Sequence, residues 1–293
     1  MDNLISVLIR TKNREAALHR ALESVRRQTH KPVEVVIVND GEPLIEPLNT
    51  HNFSATVIRE TCGGGRSEAA NIALKAASGQ FCLFLDDDDE IEPEHLEYLK
   101  AGFCNEPEII AVYSQTKCIQ ANNYDEPLKV FDTSFDQNKL VLENYLPIHS
   151  VLFLREAATD IRFSEALDIY EDWHFWLCLS QIGSFKKIDV MTAIYHLDHS
   201  GVGVQSDENH LADRKKFLKL AIPFLSEEQL VFLHFSAVQF YQEQQTSHKL
   251  RLEIDALRRQ NNALSELISD ATWLNRVLAH LARTFRRIQR KLR

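Results

Sequence analysis

An apolar run that ends in four consecutive carboxylates constrains the fold of this chain more than any other feature. Residues 81–85 have the length and aromatic content of a strand buried on both faces, and Asp86 to Asp89 follow directly. Open α/β sheets bind ligands at the carboxyl ends of such strands. Adjacent carboxylates repel one another unless water or a divalent cation holds them, and Mg²⁺ or Mn²⁺ shares oxygen ligands with substrate phosphates. The stretch therefore predicts either a metal site or a solvated acidic turn.

Composition and charge predict a soluble protein with an acidic body and a basic end. The hydrophobic content is 44% and the charged content 26%, and no apolar run reaches the roughly 18 residues of a membrane span. Residues 271–293 contain seven Lys or Arg and no acid, which leaves 26 basic and 42 acidic residues elsewhere. This distribution argues against nucleic-acid binding and makes the basic end a candidate for an anionic surface. Five cysteines without a CxxC pair, and no signal-peptide pattern, predict reduced thiols in the cytoplasm.

The segment before the acidic stretch alternates between strands and helices, which predicts an α/β fold. Because short connections join the elements, the strands should be parallel, with right-handed crossovers. Apolar runs predict strands at 4–9, 33–38 and 57–59, helical spacing predicts helices at 15–28 and 68–77, and 124–147 has an irregular pattern.

Three predicted strand ends meet a glycine loop at one edge of this sheet. The ends are the polar segments 11–14, 39–40 and 86–89, and the loop is Gly63-Gly64-Gly65-Arg66 at a helix N-terminus. Glycine N–H groups and an arginine suit phosphate, an acid can accept from a base or ribose, and a cation can neutralise a diphosphate. The loop is neither GxGxxG nor GxxxxGKS, so neither a dinucleotide cofactor nor a P-loop is indicated. Taken alone, it is equally compatible with a flexible loop.

Two long segments resemble the nucleotide-sugar half of family 2 glycosyltransferases. They read ISVLIRTKNREAALHRALESVRRQTHKPVEVVIVNDG and GGGRSEAANIALKAASGQFCLFLDDDDEIEP, and the similarity extends over roughly residues 4 to 200. The resemblance implies the GT-A fold for residues 1–205: a Rossmann-like, mostly parallel sheet flanked by helices. It also implies inverting transfer from a nucleotide-diphosphate sugar, with a UDP-sugar as the expected donor and Mn²⁺ or Mg²⁺ as the cofactor.

The resemblance assigns a donor and metal site to the predicted strand ends. Asp88 would bind the metal directly within a DxD element, with Asp86 as a further ligand, and Asp86 or Asp87 would lie near the ribose. Asp40 would contact the nucleotide base, and Thr11, Asn13 and Arg14 would line the donor pocket.

One position departs from the family pattern. Family members often carry an arginine directly before the asparagine that aligns with Asn71, but this chain has Ala70 there. Arg66, one helical turn earlier, is expected to take that role at the donor phosphates. The alternative is that Arg66 is a solvated loop cation.

A second acidic pair, Glu171-Asp172, opens a predicted helix with the sequence EDWHFWLCLS. Acids are favoured at a helix N-terminus by the dipole, so capping alone would explain the pair. The resemblance instead implies that Asp172 is the general base for the acceptor hydroxyl, with Glu171 as the second candidate. Trp173 or Trp176 would stack on an acceptor sugar, although core packing also explains large aromatic residues.

Two histidines are further candidates that the resemblance suggests. His149 precedes a predicted strand at 151–154, where family members place acceptor contacts, but a single histidine is also readily structural. His199 lies in a loop that is near the diphosphate in family members, and it is a candidate metal ligand or phosphate contact. An exposed loop histidine is the alternative for His199.

Three helical segments are predicted after the catalytic domain: an extension at 206–246, a coiled coil at 247–271 and a tail at 272–293. Asn261 falls at an a position, with leucines at d, a pattern that sets register in parallel two-stranded coils and predicts a homodimer. A helix packed on the body is the alternative. Trp273, an apolar stripe from Leu274 to Leu292 and an all-basic polar face predict an interfacial helix, or else a continuation of the coil.

The resemblance, together with the acidic residues, implies a metal-dependent, inverting glycosyltransferase. Its acceptor would be a saccharide or lipid-linked saccharide of a bacterial surface polymer such as O-antigen, capsule or lipopolysaccharide, and the tail would hold the enzyme at the inner face of the cytoplasmic membrane. One alternative is a nucleotidyltransferase, which also combines carboxylates and a metal with an α/β fold. Another is an inactive GT-A scaffold that works through its coil and tail.

Overall fold

The structure, a computed structural model, describes residues 3–45, 47–61, 63–104, 106–120, 124, 126–197 and 207–243 of the 293. The chain divides into two compact units, Met1–Gln205 and Ser206–Arg293. The first unit contains the sheet and the acidic stretch.

The first unit is built on one mixed sheet. Its described strands are β1 Ile5–Thr11, β2 Val33–Asn39, β3 Ala55–Glu60, β4 Phe81–Asp86, β5 Glu90–Ile91, β6 Ile109–Gln120, β7 Lys129–Phe131, β8 Val151–Leu154 and β9 Ser184–Leu197. The order across the sheet is β3-β2-β1-β4-β8-β6-β9-β5, with β7 paired to β6. Strands β1 to β4 run parallel, as expected from the short connections, and β8 runs antiparallel to β4 and β6.

Five helices lie around the sheet and its loops in the described part of this unit. They are α1 Glu15–Arg26, α2 Gly65–Ala76, α3 His95–Ala101, α4 Gln137–Leu142 and α5 Glu171–Ser180, and 3-10 turns lie at Ile148–Ser150 and Arg155–Ala158. The prediction that 124–147 is irregular is wrong in part, because β7 and α4 lie there. Asp136 caps α4 by accepting from the N–H groups of Asn138 and Lys139. With only six residues, α4 is too short to show a helical period.

Both faces of the sheet are buried in its parallel part. Every residue of β1 and β2 is buried, as their continuous apolar runs predict. On one face, Leu18 and Val25 of α1 pack with alternate residues of these strands. On the other face, the Phe84 ring lies against the rings of Phe163 and Phe175 at centroid distances of 5.0 and 6.2 Å. The packing fixes the strand ends that carry the polar residues.

Strand register brings these ends together. Thr11 at the end of β1 is opposite Asn39 at the end of β2, and Arg10 is opposite Asp86 at the end of β4. The carboxyl ends of the three parallel strands therefore form one polar edge, where ligands of open α/β sheets bind.

The described part of the second unit consists of helices. They are α6 Asp207–Ala221, a 3-10 turn Ile222–Phe224 and α7 Glu227–Glu243. The predicted coiled coil at 247–271, the predicted tail at 272–293 and His199 lie outside the described residues. No helix in the described part of the chain is long and apolar enough to cross a membrane.

Candidate active site

Asp40 attaches the glycine loop to the end of β2. Its buried carboxylate accepts from Lys12 Nζ at 3.0 Å and from the Gly65 N–H at 3.2 Å, and the Thr61 hydroxyl also donates to it. Burial raises the pKa of Asp40, but the hydrogen bonds from Thr61 and Lys12 outweigh burial and hold the pKa below its usual value. Gly65 begins α2 with φ of 84°, a left-handed conformation that favours glycine. The predicted base-contacting residue is thus an anion with three internal donors.

Asn13 joins the ends of β1 and β2. Its backbone has φ of 57°, which asparagine tolerates better than most residues, and its Oδ1 accepts from the N–H of Glu42 at 2.8 Å. A Cβ on Gly41 would lie 2.2 Å from the same Oδ1. The close approach of these two turns therefore requires glycine at position 41.

Asp87 and Asp88 share one arginine. Guanidinium nitrogens of Arg14 lie 2.5 Å from Asp87 Oδ1 and 2.5 Å from Asp88 Oδ2, and Thr11 donates to Asp87 Oδ2 at 2.7 Å. Burial raises the pKa of Asp87 to about 6 despite Arg14. Burial and the neighbouring carboxylates also raise the pKa of Asp88. A single guanidinium therefore leaves part of this negative charge uncompensated.

The uncompensated charge fits a divalent cation at Asp88, whose side chain is 30% exposed. Asp86 fits a cation less directly, because both of its oxygens already accept from Arg10. Within the described ranges, no group of three or more His, Cys, Asp or Glu side chains could enclose a metal ion unaided. That result is compatible with a cation that takes one or two carboxylates and completes its shell with substrate phosphates and water.

A buried histidine supports the acidic turn from the side of β8 and β9. His149 Nδ1 lies 2.9 Å from Asp89 Oδ2, and the N–H of His196 donates to Asp89 Oδ1 at 3.0 Å. His196 Nε2 in turn lies 3.0 Å from Glu90 Oε1. These contacts hold the turn that presents Asp88 without using the Asp88 carboxylate.

A buried arginine that sequence reasoning missed connects the acidic stretch to α5. Arg10 donates from Nε and Nη2 to Asp86 Oδ1 at 2.8 and 2.6 Å, and from Nη2 to Asp86 Oδ2 at 2.9 Å. Its Nη1 donates to Glu171 Oε1 at 3.1 Å and to the Arg66 carbonyl oxygen at 3.4 Å. Burial lowers the pKa of Arg10, but the two carboxylates outweigh burial and hold the pKa above its usual value. Arg66, 39% exposed, also approaches Glu171, at 3.5 Å.

Asp172 lies in the first turn of α5 and is partly exposed. Asn144 Nδ2 donates to its Oδ2 at 3.0 Å, and the N–H of Trp173 donates to its Oδ1 at 2.7 Å. Burial, followed by the adjacent Glu171 carboxylate, raises the pKa of Asp172 to about 7, against the lowering effects of the Trp173 N–H and Arg10. A carboxylate whose pKa is near the working pH is suited to general base catalysis.

Comparison with known proteins identifies the family. Residues 6–162 match the family model described as glycosyl transferase family 2. The chain belongs to this family. One relative is an uncharacterized glycosyltransferase of Haemophilus influenzae, which is 28% identical over 71% of this chain and 74% of the relative. Another is the uncharacterized glycosyltransferase YwdF of Bacillus subtilis, which is 29% identical over 73% of this chain and 81% of YwdF. The putative colanic acid biosynthesis glycosyl transferase WcaA of Escherichia coli is 25% identical over 69% of this chain and 76% of WcaA.

Solved structures establish the fold of this family 2 glycosyltransferase as GT-A. S. aureus TarS 1–349 in complex with UDP superposes with a TM-score of 0.62 at 21% identity, covering 94% of this chain and 82% of TarS 1–349. The mannosyltransferase PcManGT from Pyrobaculum calidifontis, in complex with GDP-Man and Mn²⁺, superposes with a TM-score of 0.52 at 15% identity. The match covers 96% of this chain and 80% of PcManGT. The GT-A fold inferred from the sequence is therefore confirmed.

The predicted acceptor residues of the glycosyltransferase are packed inside it. Trp176 and His149 have no exposed surface and Trp173 is 3% exposed. The indole N–H groups of Trp173 and Trp176 donate to backbone carbonyls of α4 and the following loop, Leu140 at 2.6 Å and Leu146 at 3.2 Å. This packing favours the core interpretation of both tryptophans, because neither ring has a face open to a sugar.

Proposed function

We propose that this glycosyltransferase moves a sugar, with inversion, from a nucleotide-diphosphate donor to a saccharide or lipid-linked saccharide. The observation that supports the proposal is the chain of contacts from Asp86 through Arg10 to Glu171, which links the acidic end of β4 to the helix turn that carries Asp172. The relationship to WcaA supports a role in bacterial surface polysaccharide synthesis.

The proposed reaction divides its work between the strand ends and α5. N–H groups of the glycine loop and the guanidinium of Arg66 bind the donor diphosphate, and Asp40 holds the loop in place. A Mn²⁺ or Mg²⁺ ion held by Asp88 would neutralise the departing diphosphate as a Lewis acid. Asp172 takes the proton of the acceptor hydroxyl, whose oxygen bonds to the anomeric carbon while the bond from that carbon to the diphosphate breaks. Attack from the side opposite the leaving group inverts the anomeric centre.

A donor screen tests this function. The full-length protein is incubated with UDP-, GDP- and dTDP-sugars, with Mn²⁺ or with a chelator, and the released products are measured, with donor binding followed by calorimetry. We expect release of a nucleoside diphosphate from at least one donor, and only with the divalent cation. UDP-sugars come first because TarS has been solved with UDP and with UDP-GlcNAc. Release of pyrophosphate would indicate a nucleotidyltransferase, and the absence of donor binding would indicate a scaffold.

We also propose that the end of the chain places the enzyme, as a homodimer, at the inner face of the cytoplasmic membrane. In a helix, the seven apolar side chains between Leu274 and Leu292 would form one stripe about 28 Å long at the α-helical rise. Its basic face adds attraction of about 1 kcal/mol per cation near an anionic surface, and this attraction falls with salt. The heptads at 247–271 supply the dimer contact in this proposal.

Two truncations separate these roles. A chain ending at Asp270 should stay dimeric but should no longer bind anionic vesicles. Its activity on a soluble acceptor should be nearly unchanged, because Asp88 and Asp172 lie in the first unit. A chain ending at residue 246 should also be monomeric. The measurements are vesicle sedimentation at low and high salt, with neutral vesicles as the control, and light scattering. A full-length protein that ignores anionic vesicles or is monomeric contradicts the respective proposal.

A further inference from the structure

We infer that Arg10 is a positioning residue. It fixes the position of the first turn of α5, which carries the proposed base Asp172, relative to the end of β4, where the donor is proposed to bind. The inference rests on the proposed function. Arg10 is 7% exposed, so we assign it no contact with substrate. Its effect on the reaction would pass through Asp86 and Glu171.

The guanidinium of Arg10 connects four elements at one point. From the end of β1 it binds Asp86 on β4, Glu171 on α5 and the carbonyl oxygen of Arg66 on α2. It lies 6.0 Å from the centroid of the Phe163 ring. This arrangement uses the rigid planar fork of arginine, in which the nitrogens have fixed directions. A lysine in the same place would keep the positive charge but could not hold both carboxylates with the same geometry.

The two ends of this bridge differ in how firmly they are otherwise held. Asp86 lies opposite Arg10 in the hydrogen-bonded register of β1 and β4, so the sheet itself fixes its backbone. Glu171 instead begins α5, directly after Tyr170, whose φ is 66°. Its carboxylate contacts Arg10 at 3.1 Å and Arg66 at 3.5 Å. Because Asp172 is the next residue, the anchor at Glu171 also affects the position of the base, together with the packing of the rest of α5.

A small shift at this point is expected to affect the chemical step more than donor binding. A catalytic group displaced by about 1 Å can lose about 100-fold in rate. The proposed donor groups have supports of their own: Asp40 holds the glycine loop, and the contact of Asp89 with His149 holds the turn of Asp88. The matched variants are Arg10→Lys, which keeps the charge, Glu171→Met, which removes the anchor, and Glu171→Gln, which keeps an oxygen acceptor for Arg10. Arg155→Lys is the control, because Arg155 donates to the Gly79 carbonyl at 2.6 Å at the opposite edge of the sheet.

We expect Arg10→Lys and Glu171→Met each to lower kcat by about 10- to 100-fold, with donor Kd within about threefold of wild type. Glu171→Gln should lose less kcat than Glu171→Met, because its amide oxygen still accepts from Arg10, and Arg155→Lys should be unchanged. When Arg10→Lys and Glu171→Met are combined in one double variant, the losses should not multiply, because both changes break the same bridge. Amide hydrogen exchange in the first turn of α5 should speed up in Arg10→Lys and Glu171→Met but not in Glu171→Gln.

Several results would overturn the inference. They are a kcat for Arg10→Lys within twofold of wild type, donor Kd weakened as much as kcat falls, or multiplied losses in the double variant. Equal losses in Glu171→Gln and Glu171→Met would also overturn it, since they would make Glu171 a chemical group. If Arg10→Lys does not fold, the Glu171 pair decides. If the wild-type protein transfers no sugar, the proposed function fails, whereas the exchange rates in α5 still decide whether the bridge anchors the helix.

Discussion

Asp88→Ala is expected to abolish cation-dependent donor binding while the protein stays folded. Asp88 lies on the turn after β4 with 30% of its side chain exposed, so the substitution removes a charge and no core packing. Arg14 keeps its contact with Asp87. Loss of the direct ligand should weaken donor affinity in the presence of Mn²⁺ by at least about 100-fold, since even loss of an outer-shell contact costs 10- to 100-fold. Calorimetric titration of the active donor with and without Mn²⁺ measures the change.

A matched variant separates loss of the ligand from loss of a negative charge. Glu106 forms a surface ion pair with Lys186 at 2.5 Å, near the start of β6 and away from the polar edge. Glu106→Ala should therefore leave donor affinity unchanged. If Asp88→Ala binds the donor with wild-type affinity in Mn²⁺, the cation is not held at Asp88.

The polar edge was predictable because it depends on local signals. Apolar runs marked the strands, and the residues that ended them, such as Asn39 and Asp86, marked the edge. Parallel pairing then had to bring these ends together, and the register of β1 with β2 and β4 does so. The mostly parallel sheet and its flanking helices followed from the same alternation of strands and helices.

Arg10 was missed because its partners are remote in sequence. Asp86 lies 76 residues away and Glu171 lies 161 residues away. No rule based on sequence spacing predicts side-chain contacts over such separations. The available signal was local: a charged residue at the end of an otherwise apolar strand, where an unpaired charge would be costly. The arginine that family members often carry before Asn71 is absent, and Arg66, expected in its role, contacts Glu171 at 3.5 Å.

The packing around α5 was ambiguous for a different reason. Nine of its ten residues are buried, so the helix has no polar face and its periodicity cannot show which side meets the site. The aromatic residues therefore suited a sugar platform and a core equally well in the sequence. Their hydrogen bonds to carbonyls near α4 depend on a segment, 124–147, whose elements were too short to recognise.

Asp172→Asn is expected to lower kcat by about 100- to 10,000-fold, the usual contribution of a general base. Asparagine preserves the size of the side chain and keeps one oxygen that can accept from the Trp173 N–H, but it cannot take the acceptor proton. Donor affinity should change little, because the proposed donor contacts lie elsewhere. The exposed Asp160 provides the control variant Asp160→Asn. Near-normal turnover in Asp172→Asn would point to Glu171 as the base.

The same carboxyl should make both activity and stability depend on pH, in opposite directions. A base works when deprotonated, so kcat/KM of the wild type should rise with pH through about 7, the raised pKa of Asp172, and this rise should disappear in Asp172→Asn. In the unfolded chain an aspartate loses its proton near pH 3.9. Between about pH 4 and 7 the folded state therefore binds more protons than the unfolded state, and stability falls as pH rises.

Asparagine at position 172 is neutral in the folded and the unfolded state, so the substitution removes this pH-dependent loss of stability. Asp172→Asn should therefore unfold at a higher denaturant concentration than the wild type at pH 8, and the difference should shrink as pH falls and nearly vanish at about pH 4. Urea titration measures it, with Asp160→Asn alongside. A variant less stable than the wild type at pH 8 would show that the ionised carboxylate is well compensated in its site. Asp172 would then titrate well below 7, and the rise in kcat/KM would have to come from another group.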